Sequence, residues 1–505
     1  MQSEPPATAS PQRLHPISLL FSLGTAALRL LLPGIAALWA LRGSHAEVWI
    51  MLLFVPAGIS ALVKYFTYRY HLRAEEIVVR EGVVTRTERH IPYARIQNIN
   101  LVQNPLHRLF RVSEVHLETA GGDEPEAVIR VLSLSAVARL RARVFRDREV
   151  VGVAETDVVP AEGSAVAPAQ SVRELLRLPV GELILLGLIS NRGTAVVAAA
   201  LGLAWQLDLG IEERVEKLPR YFMEQGEAWT IPGPLMVVTL ALAALVALVL
   251  GLRLLSVAWA ILKFSGFKLT LSQEDLRASY GLFTRISATL PRRRVQLLSA
   301  QTRVLHRLCH RAAMQVETAG GAEGTRAISK LWLAPLIRED RVNGLLEEVL
   351  PEVRLDTVEW RSIDPRARRR IFRRTLLLVL AVTAAGFATL GWWGFAVPAL
   401  GLPWAWMHAT LSYRHAAYAL TSSAVLYRSG WWVRRFSVVR FSKVQVLALS
   451  QSPFDRRYEM ASVQVDTAGA GKVGHRIDIG FLEAGAARAV VARISEETGR
   501  TAFHW

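Results

Sequence analysis

The chain reads as an α+β membrane protein. Its sequence predicts three transmembrane helical hairpins, each followed by a small β-barrel or sheet closed by a C-terminal helix. Three observations carry this. Apolar residues gather into paired runs. A motif recurs three times in one register. Short alternating segments follow each pair and end in a helical apolar stripe.

The register is the strongest signal. Gly82, Gly281 and Gly430 are each followed after 15 residues by a glutamine (Gln97, Gln296, Gln445) and after 37 by a threonine (Thr119, Thr318, Thr467). The threonines open Thr119-Ala120-Gly121-Gly122, Thr318-Ala319-Gly320-Gly321 and Thr467-Ala468-Gly469-Ala470. Three gap-free copies indicate one module used three times. Composition agrees with a membrane setting: 51% of the 505 residues are apolar and the mean hydropathy is +0.26. The formal charge of +17 is read as membrane orientation and contact with anionic lipid, and nucleic acid is not expected as a partner. Cys309 is the sole cysteine, which excludes an intramolecular disulfide. Residues 1–16 lack a signal-peptide pattern and are expected to form a disordered tail.

The first apolar pair is Ile17–Leu41 and Ala46–Val63, within a hairpin over 17–66. The second is Leu183–Leu207 and Pro234–Leu252, within 173–264. The third is Thr375–Trp392 and Gly394–Leu411, within 375–412. A span needs about 20 apolar residues. Arg29 interrupts Ile17–Leu41, and Asn191-Arg192 interrupts Leu183–Leu207. A charge in mid-span costs at least ~2.5 kcal/mol. Each of these two segments is therefore expected to start as an interfacial helix that turns inward at the arginine. Basic residues fix the orientation. Lys64, Arg69 and Arg73 follow the first pair, and Arg253, Lys263 and Lys268 follow the second. Arg366, Arg368, Arg369, Arg370, Arg373 and Arg374 precede the third, in a basic linker over 351–374. The loop Asp208–Thr230 is acidic. Positive-inside then predicts a plasma-membrane protein with both termini and all modules in the cytoplasm.

The modules are expected at 70–146, 267–350 and 415–498, with a linker over 150–172. The repeated glycines suit hairpin turns, and Thr-Ala-Gly-Gly lies between strands. A phosphate loop would open a helix instead. Ser135 is expected to cap the first closing helix and Pro335 to open the second, whose stripe is Val342, Leu345, Leu346 and Val349. Ala489, Val490 and Ile494 mark the third.

These copies resemble the bacterial membrane-flanked, pleckstrin-homology-like domains. The resemblance rests on Ile91-Pro92…Arg95-Ile96-Gln97…Asn104-Pro105-Leu106…Arg108 and Glu118–Gly122. The second copy repeats it with Leu290-Pro291, Arg294-Val295-Gln296, Leu305, Arg307 and Glu317–Gly321. The third does so with Lys443-Val444-Gln445, Pro453, Phe454, Arg456 and Asp466–Gly469, and departs at Arg440 and Ala470. It implies a seven-stranded PH-like barrel with a capping helix, and implies no activity.

Two sets of cations recur: Arg95, Arg294 and Lys443, then Arg108, Arg307 and Arg456. They read as a basic strip for anionic headgroups or an acidic peptide. The structural alternative pairs them with Glu118, Glu317 or Asp466, with the glutamines satisfying backbone groups. His306, Cys309 and His310 have metal-ligand spacing, but the third copy lacks them and Arg303, Arg307 and Arg311 crowd them. No metal, cofactor or catalytic set is expected. The role read from this is a non-enzymatic interaction platform at the membrane surface, binding anionic lipid, a protein partner or a second copy. A transporter and an interfacial lipid-modifying enzyme are the alternatives. Trp431-Trp432 fit either a core or a membrane contact.

Overall fold

The structure is a computed structural model. Apart from short internal gaps, it describes residues 12–13, 59–119, 127–140, 173–206, 234–318, 330–467 and 476–500. The first module contains β1 (Gln12–Arg13), β2 (Arg69–Leu72), β3 (Glu76–Glu81), β4 (Thr87–Pro92) and β5 (Ile96–Gln103). It continues through α1 (Pro105–Leu109), β6 (Val112–Thr119) and β7 (Ala127–Ser133). The second has β8 (Arg173–Arg177), membrane helices α2 (Val180–Ile189), α3 (Arg192–Gln206) and α4 (Pro234–Phe264), then β9 (Lys268–Ser272), β10 (Asp275–Tyr280) and β11 (Arg285–Pro291). Then come β12 (Val295–Arg303), α5 (Val304–Leu308), β13 (Arg311–Thr318), β14 (Lys330–Arg338) and α6 (Val342–Val349). The third has β15 (Arg361–Ser362), helices α7 (Arg366–Leu390) and α8 (Ala396–His415), then β16 (Ala417–Leu420), β17 (Ala424–Ser429) and β18 (Val433–Arg440). It closes with β19 (Val444–Ser450), α9 (Pro453–Arg457), β20 (Met460–Thr467), β21 (Ile477–Glu483) and α10 (Ala484–Arg500).

Each module is two half-sheets: four strands, then three strands with a closing helix. The expected sheets with a closing helix are present, and the halves of neighbouring modules merge. One seven-stranded sheet runs β7-β6-β5-β11-β10-β9-β8, and another runs β14-β13-β12-β18-β17-β16-β15. The joining pairs are antiparallel: β5 with β11, and β12 with β18. Leu101 pairs with Ser287, and Ala300 pairs with Phe436. Moving one copy along by the glycine spacing carries the first pair onto the second, so both junctions share a register. The cores merge as well. Leu297 of β12 lies in the core of the third module, and Ala424, Leu426 and Val438 of the third lie in that of the second.

Several strands lie outside the expected module limits. β1 falls in the predicted tail, β8 precedes the second membrane segment and β15 lies in the predicted basic linker. β8 and β15 each pair with the first strand after the helices that follow them, so those two modules are stitched on both sides of their helices, and β1 pairs with β2. Pro335 does not open a helix. It sits in β14 where the register slips and the partner jumps, a place for a residue without an N–H. In the first closing helix, Ser133 Oγ rather than Ser135 accepts the Ala136 N–H, at 3.2 Å.

Among the described residues, two helices are long and apolar enough to cross a membrane. They are Val238–Phe264 in α4, with hydropathy 2.5, and Arg366–Thr389 in α7, with hydropathy 1.7. Residues 238–251 of α4 are exposed all round although almost wholly apolar, the signature of a lipid-facing helix. α2 and α3 meet at 68° across Ser190-Asn191, where the sequence predicts an inward turn. The break frees carbonyls, and Arg253 of α4 satisfies them. Its Nη1 donates to Leu188 O at 2.9 Å, Ser190 O at 3.2 Å and Asn191 Oδ1 at 3.1 Å. Gly187 and Gly193 lie directly on the α4 backbone, leaving no room for a Cβ. Gly386 faces Val397 and Gly401 faces Val379, so α7 and α8 run antiparallel. α7 starts at Arg366, so residues 366–374 of the predicted linker are helical. The first apolar pair lies almost wholly outside the described residues, as do Arg29, Arg95, Gly121, Gly320, Gly469 and the linker 150–172.

The repeated glycines turn as predicted. Gly82, Gly281 and Gly430 have φ of 99°, 114° and 80°. A Cβ on Gly281 would overlap the Thr284 carbonyl, and one on Gly430 the Val433 carbonyl, whereas Gly266 (φ 65°) faces open space. Gly281→Ala and Gly430→Ala should each cost about 2 kcal/mol or more, and Gly266→Ala only about 1 kcal/mol. Tryptophan-fluorescence melting in detergent reads the order directly. Arg253→Met removes the side-chain donor to Leu188 O while Ser190 O keeps Ser256 Oγ, and should cost about 1–3 kcal/mol in the same assay.

Candidate membrane-facing site

The three short helices α1, α5 and α9 fill matched places. Asn104 and Ser452 form capping boxes with His107 and Asp455, and Pro105 and Pro453 occupy the first helical positions. A left-handed residue follows each helix: Arg111, His310 and Glu459, with φ of 53°, 51° and 54°. That sharp reversal leaves each helix as a knob with apolar side chains outward. Leu106, Leu305 and Phe454 share one matched place, at 50%, 36% and 68% exposure. Leu109 and Leu308 share another, at 72% each, where the third copy has Arg457.

All three knobs lie at the ends of the membrane helices. Arg108 Nη1 in α1 donates to Leu282 O at 2.9 Å, and Thr284 Oγ1 donates to Asn104 Oδ1 at 3.1 Å. That turn is hung on the end of α4: Gly281 N–H donates to Ser265 O, and Leu282 N–H to Leu262 O. Just beyond α5, Arg311 grips Glu182 in the first turn of α2 through both carboxylate oxygens, at 2.8 and 3.0 Å. At α9, Arg370 of α7 reaches Asp455 at 2.9 Å and Ser452 Oγ at 2.9 Å, while Arg373 donates to the Tyr458 hydroxyl at 2.6 Å. The arginines that precede the third hairpin therefore also lock a module to its helix, which charge counting alone does not reveal.

The glycine turns complete the rim. Leu282 and Phe283 are exposed beside the end of α4. Trp431 meets His408 of α8 at 6.1 Å between ring centroids, and Trp432 beside it is exposed. The undecided tryptophan pair thus lies along the membrane helix.

A cavity of about 510 Å³ opens where α8 ends, between the second and third modules. Arg414, Arg428, Arg434 and Arg435 line it against one carboxylate, Glu339. Arg428 stacks on Trp360 at 4.5 Å, and Trp360 meets Phe436 edge to face at 6.0 Å. Arg434 Nη2 donates to His415 Nε2 at 2.8 Å, and His415 Nδ1 donates to Leu411 O at 2.8 Å. Those contacts fix one imidazole tautomer and commit both ring nitrogens. Arg434 Nε is buried with no protein partner. Arg307 lies close enough to Arg434 for its pKa to fall, through burial first and that neighbour second. Arg434-Arg435 directly follows the Trp431-Trp432-Val433 turn. The predicted strip did not include it, because only strand pairing brings it opposite Thr302 and Gln301.

The two predicted cation sets separate in space. Arg108, Arg307 and Arg456 belong to the rim. Arg294 and Lys443 come together at the other end of β18, roughly 23 Å along the strand at 3.3 Å per residue. There Lys443 is half-buried, and its pKa is lowered by burial, then by Arg440, Arg294 and Arg293. Arg440 Nη2 donates to the carbonyls of Arg292, Arg293 and Val295, and Nη1 pairs with Glu352 at 3.1 Å. Asp466 pairs with Arg476 at 3.1 Å. Gln296 is buried within its junction, whereas Gln445 is exposed.

His306 is buried in α5, and burial aided by Arg303 pushes its pKa down to about 4 from 6.5. It is neutral in the folded state. Cys309 caps α5 and His310 is exposed, and no cluster of three metal-type ligands occurs among the described residues. A depressed histidine pKa means the unfolded chain binds the proton first, so stability falls as pH drops from 6.5 toward about 4. His306→Leu should flatten that part of the stability–pH curve, read by melting in detergent across the interval.

With this geometry described, comparison with known proteins gives the class. A family description reading "Bacterial PH domain" matches residues 18–148, 230–351 and 375–498, well over half of the chain. The chain belongs to that family, as a membrane protein with three bacterial PH domains. It is similar to the UPF0699 transmembrane protein YdbT of Bacillus subtilis (strain 168), at 22% identity over 473 residues, 90% of this chain and 92% of that one. It is also similar to the UPF0699 transmembrane protein YdbS of the same organism, at 26% identity over 106 residues, 21% of this chain and 65% of that one. No solved structure matches.

Proposed function

We propose that the chain is a binding platform at the inner leaflet of the plasma membrane, and that its arginine cavity holds anionic phospholipid headgroups. The observation that carries this is four arginines around a 510 Å³ cavity where α8 ends. The apolar rim supports it. Leu109, Leu308, Phe454 and Trp432 would sit among headgroups and upper acyl chains while Arg108, Arg307 and Arg456 face phosphate. Basic flanks on the membrane segments support a cytoplasmic placement of the modules.

Binding rather than catalysis fits the cavity chemistry. Its cations outnumber its one carboxylate, and His415 has no free nitrogen to act as a base. Tethering raises the effective concentration at the leaflet, and each cation near an anionic surface adds about 1 kcal/mol. Modest contacts therefore suffice.

The test uses the full chain in micelles containing equal phosphatidylglycerol and phosphatidylcholine, with retained lipid counted by native mass spectrometry. Phosphatidylglycerol should be retained preferentially, and Arg428→Gln with Arg434→Gln should reduce that preference several-fold. Added salt should act in the same direction. Equal retention of both lipids by the unaltered chain would falsify the reading.

A further inference from the structure

The strand that joins one module to the next is filled twice and open once. β5 receives β11 and β12 receives β18 in one register, but among the described residues β19 pairs only with β20. Exposure records the difference. Leu297 and Ala300 of β12 are 1% and 7% exposed, while Val446 and Leu449, their matches in β19, are 55% and 43% exposed. Leu297 owes its burial to the core of the module docked beside it. Val446 therefore has the position and chemistry of a residue that belongs in a neighbour's core.

The two guests already seen define what fits. At the matched positions β11 has Ser287, Ala288 and Thr289, of which Ser287 pairs with β5, and β18 has Phe436, Ser437 and Val438. Nearer the turn both guests carry arginine, with Arg285 opposite Gln103 and Arg434 and Arg435 opposite Thr302 and Gln301. The chain's own fourth strand of the first module, β4, which among the described residues pairs only with β3, carries Glu88, Arg89 and His90 there. Glu88 pairs with Arg80 at 2.8 Å, and His90 with Glu76 at 3.0 Å, within their own sheet. In the shared register, Glu88 would lie opposite Leu449 and His90 opposite Leu447. The arginines of the two internal guests face polar Gln103, Gln301 and Thr302, whereas charges set against apolar side chains cost free energy and oppose pairing. β4 is a blunted edge and β19 a receptive one, so a second copy of this chain is a poor guest.

We propose that β19 is the docking edge for a separate membrane-anchored chain that carries a bacterial PH module whose fourth strand is uncharged at the three positions matched to Glu88, Arg89 and His90. That strand adds antiparallel to β19, and the guest's core takes in Val446. This inference does not depend on the headgroup reading. The membrane geometry permits it. The second internal junction puts the Gly430 turn, which lies beside α8, next to the end of β12 that leads into α5 and its Arg311 contact with α2, on the same side as the helices of the module before it. A guest in the same register anchors in the same membrane. Chains of suitable size occur in the family: the aligned 106 residues make up 65% of the shorter relative.

The test places a photoreactive amino acid at position 446, 449 or 89 of the full chain, expressed in its own cells. Crosslinked peptides are then identified by tandem mass spectrometry. Probes at 446 and 449 should link to the fourth strand of a PH module on one other chain, and the probe at 89 should not. Val446→Lys should abolish the product formed from 449 and leave the melting temperature unchanged, because Val446 is exposed. Linkage of 446 to β4 of a second copy would overturn the proposal. So would linkage to lipid alone, to a protein without a PH module, or to nothing.

Discussion

Antiparallel pairing between strands of different modules is the constraint on which the rest of this molecule depends. Backbone hydrogen bonds along β5·β11 and β12·β18 turn three copies of a small fold into two continuous seven-stranded sheets. A strand register admits no gradual slip, because one residue of shift exchanges the faces of every side chain. The relative placement of the modules is thereby fixed by backbone geometry rather than by linker length. The cores follow, since Leu297 crosses the boundary to pack with Val425 and Val439.

The arginine cavity is a product of that constraint. Arg434 and Arg435 come from β18, Thr302 and Ala300 from β12, and Glu339 from the turn after β14. No module contains the site by itself. The same pairing gathers Arg293, Arg294, Arg440 and Lys443 at the opposite end of the junction, where backbone carbonyls and Glu352 meet part of the charge. One junction thus has two basic ends, and each keeps a buried guanidinium Nε without a protein partner, Arg434 at the membrane end and Arg440 at the far end.

Features that live within one copy were legible in the sequence. Gly82, Gly281 and Gly430 announced turns, and their positive φ is the reason glycine stands there. The kink after Ser190 was legible because Asn191-Arg192 interrupts an apolar run. Features that depend on partners far away in sequence were not. Nothing local to Gln301 says that Arg435 will face it, so the strip grouped Arg294 with Arg307 although β12 holds them apart. Pro335 looked like a helix start because proline favours that position. It also suits a bulge, and only the slipped pairing of β13 with β14 distinguishes the two. Arg366, Arg370 and Arg373 were legible as topology signals, but their grip on α9 and Tyr458 was not.

The strands that precede each set of membrane helices impose an order on biosynthesis. Arg173 of β8 finds its partner at Leu271, after two membrane segments and the loop between them have been made. Arg361 of β15 likewise waits for Tyr418. Since a chain emerges at about 5–20 residues per second, β8 stays unpaired for several seconds while its helices enter the bilayer. The edge of β5 is open over the same interval, until β11 emerges. Closure of one module presents the edge on which the next will form, so the protein assembles as a zipper running from its N-terminal end. Failed insertion of one hairpin would leave an unpaired edge behind it, a local cue by which quality control could recognise a defective chain before synthesis ends.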